Sequence, residues 1–473
     1  MIEIIEEGKC GDEITWTLWE ENNERTLIIS GRGNMWNCPG GIAFDHRDSI
    51  SKVTISNGVT SIGSHAFYRF SRLRCITIPN SVTIIEIFAF SHCTALTHVN
   101  IPPSVTRIGK GVFHECKSIK EIILPDSVIS LSHCYDYLRY ADCDTGTFEG
   151  CSALEHIHIP HNLDTIPTHL FKNCLSLKDI TIPDSVTSIG CGAFEGCNLK
   201  NNINIDARNK TFYKKNKCII YKIYTDTNDP EYDPEFDPEI KTETVIYGYE
   251  DSIIPYGVTG ITNGAFAGCE ELKSIEIPNS VTYIGNYAFE NCKALTTIEI
   301  PNSVTTIGMG AFSGCTALTT AEIPNSVTDI WDCAFENCDI YITVAEDNPK
   351  YKSIDGFLVT KDEKILLSSH SKDNICNVPE GICILERYAI TIKVSDVFLP
   401  KTIKEIEPNA FCGAEIERLH MKCEHPECLL IRCERDDNDW EIDQCALHVP
   451  IGTGYAYRHH PYFSEFKEVV IDK

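Results

Sequence analysis

One hexapeptide constrains this chain more than any other feature. Ile78-Pro79-Asn80-Ser81-Val82-Thr83 returns as Ile101-Pro102-Pro103-Ser104-Val105-Thr106, and again from Leu124-Pro125, Ile159-Pro160, Ile182-Pro183, Ile254-Pro255, Ile277-Pro278, Ile300-Pro301 and Ile323-Pro324. Divergent copies at Ile55-Ser56, Val378-Pro379 and Leu399-Pro400 bring the count to twelve units. The step is 23 residues from Ser56 through Pro79 and Pro102 to Pro125, from Pro160 to Pro183, and from Pro255 through Pro278 and Pro301 to Pro324. Eleven residues after a regular proline stands a phenylalanine: Phe90, Phe113, Phe194, Phe266, Phe289, Phe312, Phe335, and Phe411 in the last unit. A self-similar period of this length is the mark of a repeat array, in which each unit contacts only its neighbours. A chain of 473 residues therefore need not be cut into several compact cores.

Each part of the unit has a physical task. Leu295-Thr296-Thr297-Ile298-Glu299-Ile300 alternates with period two, as a short half-buried strand does. Pro301 ends that strand. Ser303-Val304-Thr305 starts a second extended stretch, with a turn expected at Gly308, and Phe312 and Cys315 point inward on the return leg. One such coil cannot bury its own apolar side, so coils must stack strand beside strand, at roughly 4.8 Å per repeat.

The consensus Ile-Pro-Asn-Ser-Val-Thr-x-Ile-Gly-x-x-Ala-Phe-x-x-Cys resembles the BspA-like, treponemal-type branch of the leucine-rich repeats over most of residues 50–415. The resemblance implies a mainly β repeat solenoid, a curved right-handed coil with a long parallel sheet. It also implies bacterial or protist surface proteins of the adhesion and host-interaction kind. Residues 1–45 are expected to form an amino-terminal β cap, because Cys10–Leu18 and Thr26–Gly31 alternate around a turn near Asn22-Asn23. Residues 46–415 form the solenoid. Residues 416–473, with Tyr455, Tyr457, Phe463 and Phe466, resemble the closing segment of related proteins.

Three insertions interrupt the period, near 133–144, 198–247 and 339–377. The two longer ones match each other at an offset of 139 residues, pairing Asn209 with Asn348, Phe212 with Tyr351 and Ile219-Ile220 with Leu358-Val359. Both read as hairpin islands within the solenoid. The first insertion carries Tyr135, Tyr137 and Tyr140, and the second holds Asp229-Pro230-Glu231-Tyr232 repeated in register as Asp233-Pro234-Glu235-Phe236 and Asp237-Pro238-Glu239. Proline at every fourth position forbids helix and the acids hold water, so an extended loop is expected. The alternative is a docking loop anchored by Tyr232 and Phe236.

A formal charge of −27 repels phosphate backbones and anionic lipid. Nucleic acid is excluded as a partner, and no apolar run approaches the ~20 residues of a membrane helix. Met1 is followed by Ile-Glu-Ile-Ile-Glu-Glu-Gly, without a basic start or long apolar core, so no secretory signal is read here. The compartment is open between the cell surface that the resemblance implies and the cell interior.

Of 24 cysteines, nine (Cys93, Cys116, Cys151, Cys174, Cys197, Cys269, Cys292, Cys315, Cys338) share one repeat position. A buried column of small apolar thiols is expected, with a metal-thiolate or disulfide ladder as the alternative. Cys423, His425, Cys428, Cys433 and Cys445 form a further cluster without the usual C-x₂-C pair of zinc sites; zinc, a disulfide or separate thiols are its three readings.

No Gly-rich phosphate loop, G-x-S-x-G or H-E-x-x-H occurs; a non-enzymatic chain without cofactor or bound metal is expected. The strand residues that must point out of the core carry the binding candidates. His98, Glu121, His156 and Asp179 fall in one column with His158 beside them, a stripe able to bind a metal or polar ligand or simply a solvated face. Glu276, Glu299 and Glu322 make a second stripe, either tolerated by screening or neutralised by a cationic partner. These readings converge on a scaffold for a protein or glycan partner, adhesive by resemblance, with an intracellular assembly scaffold as the other reading.

Overall fold

The computed structural model describes residues 3–38, 41–42, 44–133, 145–197, 199, 202–223, 242–371, 373–431 and 444–472. The protein is a mainly β solenoid in which Gly454–His459 is the one α-helix among the described residues. It divides into two compact units, Met1–Lys215 with Ile219–Lys222, and Asn216–Cys218 with Ile223–Lys473. The division falls within the insertion near 198–247.

Each regular coil carries two extended segments, and each joins its counterpart one repeat away in parallel. In the first unit the leading strands Ile50–Ile55, Cys75–Thr77 and His98–Asn100 pair in series, and Glu121–Ile123 pairs with His156–His158. The Ser-Val-Thr stretch supplies a second row: Val59–Ile62, Ile84–Ile85, Arg107–Gly109 and Ser130–His133. The second unit repeats this with Thr297–Glu299, Thr320–Ile323 and Tyr341–Val344 in the leading row. Its other row runs Thr242–Tyr247, Gly260–Ile261, Tyr283–Ile284, Thr306–Ile307 and Asp329–Ile330.

The interior explains the consensus residue by residue. Phe67, Phe90, Phe113, Phe148, Phe171 and Phe194 stack ring on ring at 5.3 to 5.9 Å between centroids. In the second unit Phe266, Phe289, Phe312 and Phe335 stack at 5.1 to 5.5 Å and within 9° of parallel. Phe113 stacks directly on Phe148, so the 12 residues added near 133–144 leave the column unbroken. Such ring pairs add ~1 kcal/mol each to the burial of their area.

The cysteine column packs beside the rings and does more than fill space. Cys93, Cys116, Cys151 and Cys174 each donate Sγ–H to the carbonyl of the phenylalanine one coil earlier, at 3.1 to 3.2 Å. Cys292, Cys315 and Cys338 do the same at 3.1 to 3.3 Å. All described cysteines are free thiols. Burial pushes Cys93 and Cys151 up to about 12, which keeps them protonated donors to those carbonyls.

The polar consensus residues also serve the coil below. Ser81, Ser104, Ser127, Ser185 and Ser303 donate Oγ–H to carbonyls 22 residues earlier at 2.6 to 2.7 Å. Thr282, Thr305 and Thr328 run a ladder from backbone N–H to the preceding threonine carbonyl at 2.8 to 2.9 Å. Gly308 has a different role from the turn expected of it. A Cβ there would lie 2.5 Å from Asn286 Oδ1 and 2.6 Å from Asn286 N, so the glycine permits close approach to the coil below. The left-handed turn falls two residues later, at Gly310 with φ 59°.

The ends of the array differ from its interior. Glu13–Glu21 and Glu24–Asn34 form an antiparallel hairpin whose turn residues Asn22 and Asn23 have φ 52° and 65°. Its second strand pairs in parallel with Ile50–Ile55 and so covers the open edge of the first coil. At the other end Ala446–Val449 and Glu468–Ile471 add two parallel strands, and Tyr457, Phe463 and Phe466 close over the core.

Both islands begin on one device. Asn348 Nδ2 donates to the carbonyls of Pro324 and Val327 while its Oδ1 accepts from Lys350 N and Tyr351 N, all at 2.7 to 2.9 Å. Asn209 makes the equivalent four bonds to Pro183, Val186, Thr211 and Phe212. The second island then runs as an antiparallel meander, Tyr351–Ile354, Phe357–Thr360 and Ile365–Ser368, and rejoins the array at Ile384–Leu385.

Three outcomes follow from this packing. Phe289→Ala should lower stability in urea unfolding by about 3–5 kcal/mol; a loss below about 1 kcal/mol would show that the rings do not share one interior. Maleimide labelling read by peptide mass spectrometry should modify the exposed Cys75 and Cys428 in native protein. Cys93, Cys116, Cys151 and Cys315 should react only after denaturant is added. Asn348→Ala, at a fully buried side chain, should cost about 3 kcal/mol through the unpaired groups it leaves. The partly exposed equivalent Asn209→Ala should cost less, and equal losses would contradict the role of burial.

Candidate functional site

The alternation of each regular leading strand turns two side chains per coil to solvent, and the histidine and acid candidates occupy those positions. His98, Glu121, His156, His158 and Asp179 are all exposed. Cys75 faces His98 in register, and Glu121 faces His156, with Ile123 beside His158. His156 Nδ1 lies 3.8 Å from Asp179 Oδ2, and His158 Nε2 lies 3.9 Å from Asp126 Oδ1. Glu121, Ile123, His156, His158, Asp179 and Thr181 line a shallow depression of about 290 Å³. Among the described residues this column does not converge into a metal-holding group. It is an open polar stripe in which imidazoles and carboxylates alternate.

The acidic stripe sits on the second unit. Glu299 and Glu322 are direct register partners on neighbouring strands, and all three of Glu276, Glu299 and Glu322 are exposed. Glu276 lies in a segment without strand pairing. Tyr135, Tyr137, Tyr140, Tyr232 and Phe236 lie outside the described residues. Of the cysteine cluster near the carboxyl end, Cys423 and Cys445 are buried and Cys428 is exposed. His425 Nδ1 lies 3.1 Å from Glu427 Oε1. The described members do not form a metal-holding group, and Cys433 lies outside the described residues.

The most organised polar surface stands on the last coils. Ile375–Asn377, Lys393–Leu399, Glu415–Met421, Ala446–Val449 and Glu468–Ile471 pair in parallel in that order. Register places Asp396 beside Arg418, and Phe398 beside His420 beside His448. Arg418 grips Asp396 with two hydrogen bonds of 2.6 Å, Nε to Oδ1 and a terminal nitrogen to Oδ2. His420 Nε2 lies 2.9 Å from the same Oδ1. The Arg418 guanidinium holds the Asp396 carboxyl well below the usual carboxylate range, with the His420 and Ser395 hydrogen bonds assisting. Asp396 is therefore a fixed anion in a largely buried position.

An aromatic ladder crosses the same strands. The His420 ring stacks on Phe398 at 4.1 Å and 10°, and meets His448 at 4.4 Å. His448 Nδ1 lies 3.0 Å from Asp472 Oδ1. Beside this ladder opens a groove of about 890 Å³, lined among others by Lys393, Glu415, Glu417, Arg418, His448 and Glu468. Charges of both signs border it, so it is suited to a polar, charge-bearing ligand rather than an apolar one.

Sequence reasoning passed over this surface because its units are divergent. The signal was nonetheless present. Extending the outward positions past Glu322 reaches Asp396/Phe398, Arg418/His420 and Ala446/His448, where an acid and a base, then two imidazoles, occupy equivalent sites on neighbouring coils.

A leucine rich cell surface protein from Faecalibacterium prausnitzii A2-165 is similar with a TM-score of 0.53 and 21% identity, over 88% of this chain and 94% of that one. The pneumococcal vaccine antigen PcpA is similar with a TM-score of 0.47 and 15% identity, over 100% and 99%. A leucine rich repeat protein of T. pallidum matches with a TM-score of 0.28 and 23% identity, over 41% and 90%. At 21% identity the likeness to the Faecalibacterium protein shows the fold alone. No curated protein matches at a significant level. Six copies of the BspA type leucine rich repeat region match residues 40–137, 141–223 and 248–355, more than half of the sequence. The chain belongs to the BspA-type leucine-rich-repeat family.

Proposed function

We propose that this protein is a non-enzymatic binding scaffold, displayed at a cell surface, that presents its outward strand faces to a protein or glycan partner. The observation that carries the reading is the division of labour within each coil. Apolar, thiol and hydroxyl consensus residues are consumed by contacts between coils, while on the regular coils the two outward positions of each leading strand differ from coil to coil and remain exposed. A surface built from side chains that the fold does not need is a surface available for recognition.

The character of that surface supports a macromolecular partner. The His156 depression is open and shallow, as a face for another large molecule is. The formal charge of −27 favours cationic or neutral partners and disfavours nucleic acid. The cell-surface setting is supported by the family and by the leucine rich cell surface protein of Faecalibacterium, which shares the fold. A second reading, an intracellular assembly scaffold, is favoured by the free thiols throughout the described chain, which suit a reducing compartment. Fractionation of the producing cells separates the two.

The binding reading is tested with the full chain on glycan and protein arrays, followed by affinity measurement of each captured partner. Charge reversal of Glu276, Glu299 and Glu322 to lysine should weaken a cationic partner by about tenfold or more, with binding of the parent falling as salt rises. His156→Ala with Asp179→Ala should affect partners of the first unit, and neither set should move the unfolding midpoint. Retention of every captured partner by both variants would remove the outward faces from the interaction.

A further inference from the structure

We propose that His420, His448 and Asp472 form a binding site for a divalent transition-metal cation, with Asp396 as the residue that orients His420. This inference does not depend on the scaffold reading. Among the described residues this is the one group of His, Cys, Asp or Glu side chains arranged to hold a metal. A ligand atom from each of the three lies within 4.8 Å of the other two. Nitrogen and oxygen ligands at the usual bond length to zinc stand about 3.3 Å apart around a tetrahedral ion. Small side-chain rotations close the remaining gap.

The backbone places these ligands. His420 and His448 are register partners on adjacent parallel strands. Asp472 follows the next strand, Glu468–Ile471, and its N–H donates to Val449 O at 3.0 Å. Two adjacent strands and the residue just after the third thus each supply one ligand.

The environment then selects how the ligands are presented. His420 is clamped between Phe398 and His448. Its Nε2 is engaged by Asp396, whose own carboxylate is fixed by both hydrogen bonds from Arg418. A neutral imidazole that donates from Nε2 keeps its lone pair on Nδ1, so the Asp396 contact sets which nitrogen is free to ligate. A carboxylate behind a ligating histidine is the usual partner arrangement at zinc and related ions. The two imidazoles are sheltered, with side-chain exposures of 15% and 19%, whereas Asp472 is 51% exposed and marks the side from which an ion enters.

The donor set decides the ion class. Two imidazoles and one carboxylate suit Zn²⁺, Co²⁺ or Ni²⁺, while Ca²⁺ and Mg²⁺ demand more oxygen ligands than the site supplies. The His448–Asp472 contact of 3.0 Å would by itself give a simple hydrogen bond. The orientation of a second imidazole by Asp396 is what that bond leaves unexplained.

The test is titration of the chelator-treated, reduced full-length protein with Co²⁺, read by visible absorption, followed by displacement with Zn²⁺. Cobalt distinguishes the proposed ligands from the chain's many cysteines, because thiolate ligation adds an intense charge-transfer band and imidazole with carboxylate does not. The expected result is one Co²⁺ per chain at micromolar metal, without the thiolate band. His448→Ala and Asp472→Asn should each weaken uptake by about tenfold or more, and Asp396→Asn by about 10–100-fold. Asp472→Asn, at an exposed position, should leave the metal-free unfolding midpoint unchanged, which separates loss of ligation from loss of fold. Absence of uptake at micromolar metal, a thiolate spectrum, or uptake indifferent to both His448→Ala and Asp472→Asn would each overturn the proposal.

Discussion

A coil of 23 residues cannot satisfy itself, and every consensus position in this protein answers that shortage. The coil is too thin to bury an apolar core and leaves carbonyls facing its neighbours. Both needs are met by the next coil. Stacked phenylalanines supply apolar contact along each unit, with centroids never more than 5.9 Å apart between ladder neighbours. Serine hydroxyls and cysteine thiols reach one repeat back to carbonyls at 2.6 to 3.3 Å. Removing one coil would therefore expose both a ring face and a set of acceptors, which makes the array cooperative over its neighbours.

This constraint explains why the cysteines recur without pairing. A thiol at the repeat position is small enough for the space beside the ring, and it is a donor where a carbonyl needs one. Alanine would meet the first demand only, and serine would carry a stronger hydration cost into an apolar column. Stacking also sets equivalent thiols in line, each bonded to a carbonyl of the coil before it. Among the described residues these thiols are spent on carbonyls of the neighbouring coil rather than on one another.

The outward positions are released from these demands, and the candidate sites arise there. On regular coils the release produces open stripes such as Glu121, His156 and Asp179, whose charges meet only at the distance that strand spacing dictates. On the divergent last coils, longer strands bring an acid, a base and two imidazoles into the same register. There the outward face gains its own hydrogen-bond network. The difference is physical: a three-residue strand fixes one or two outward side chains, whereas the seven residues of Lys393–Leu399 and Glu415–Met421 fix a patch.

Periodicity alone determined the coil, its apolar and outward positions, the phenylalanine and cysteine columns and the exposure of His98, Glu121, His156, Asp179 and Glu299. Those follow from local alternation and a fixed step, which are properties of sequence. The offset of 139 likewise exposed the kinship of the two islands, although the four hydrogen bonds of Asn348 needed coordinates. Only the tertiary structure decided that Gly308 serves close approach while Gly310 makes the turn. It alone showed that the thiols donate across coils, and that Asp396, Arg418, His420, His448 and Asp472 meet. Repeat spacing says which residues face outward, but where the period is irregular the register between strands is set by hydrogen bonding across the sheet. That register decides which outward side chains touch.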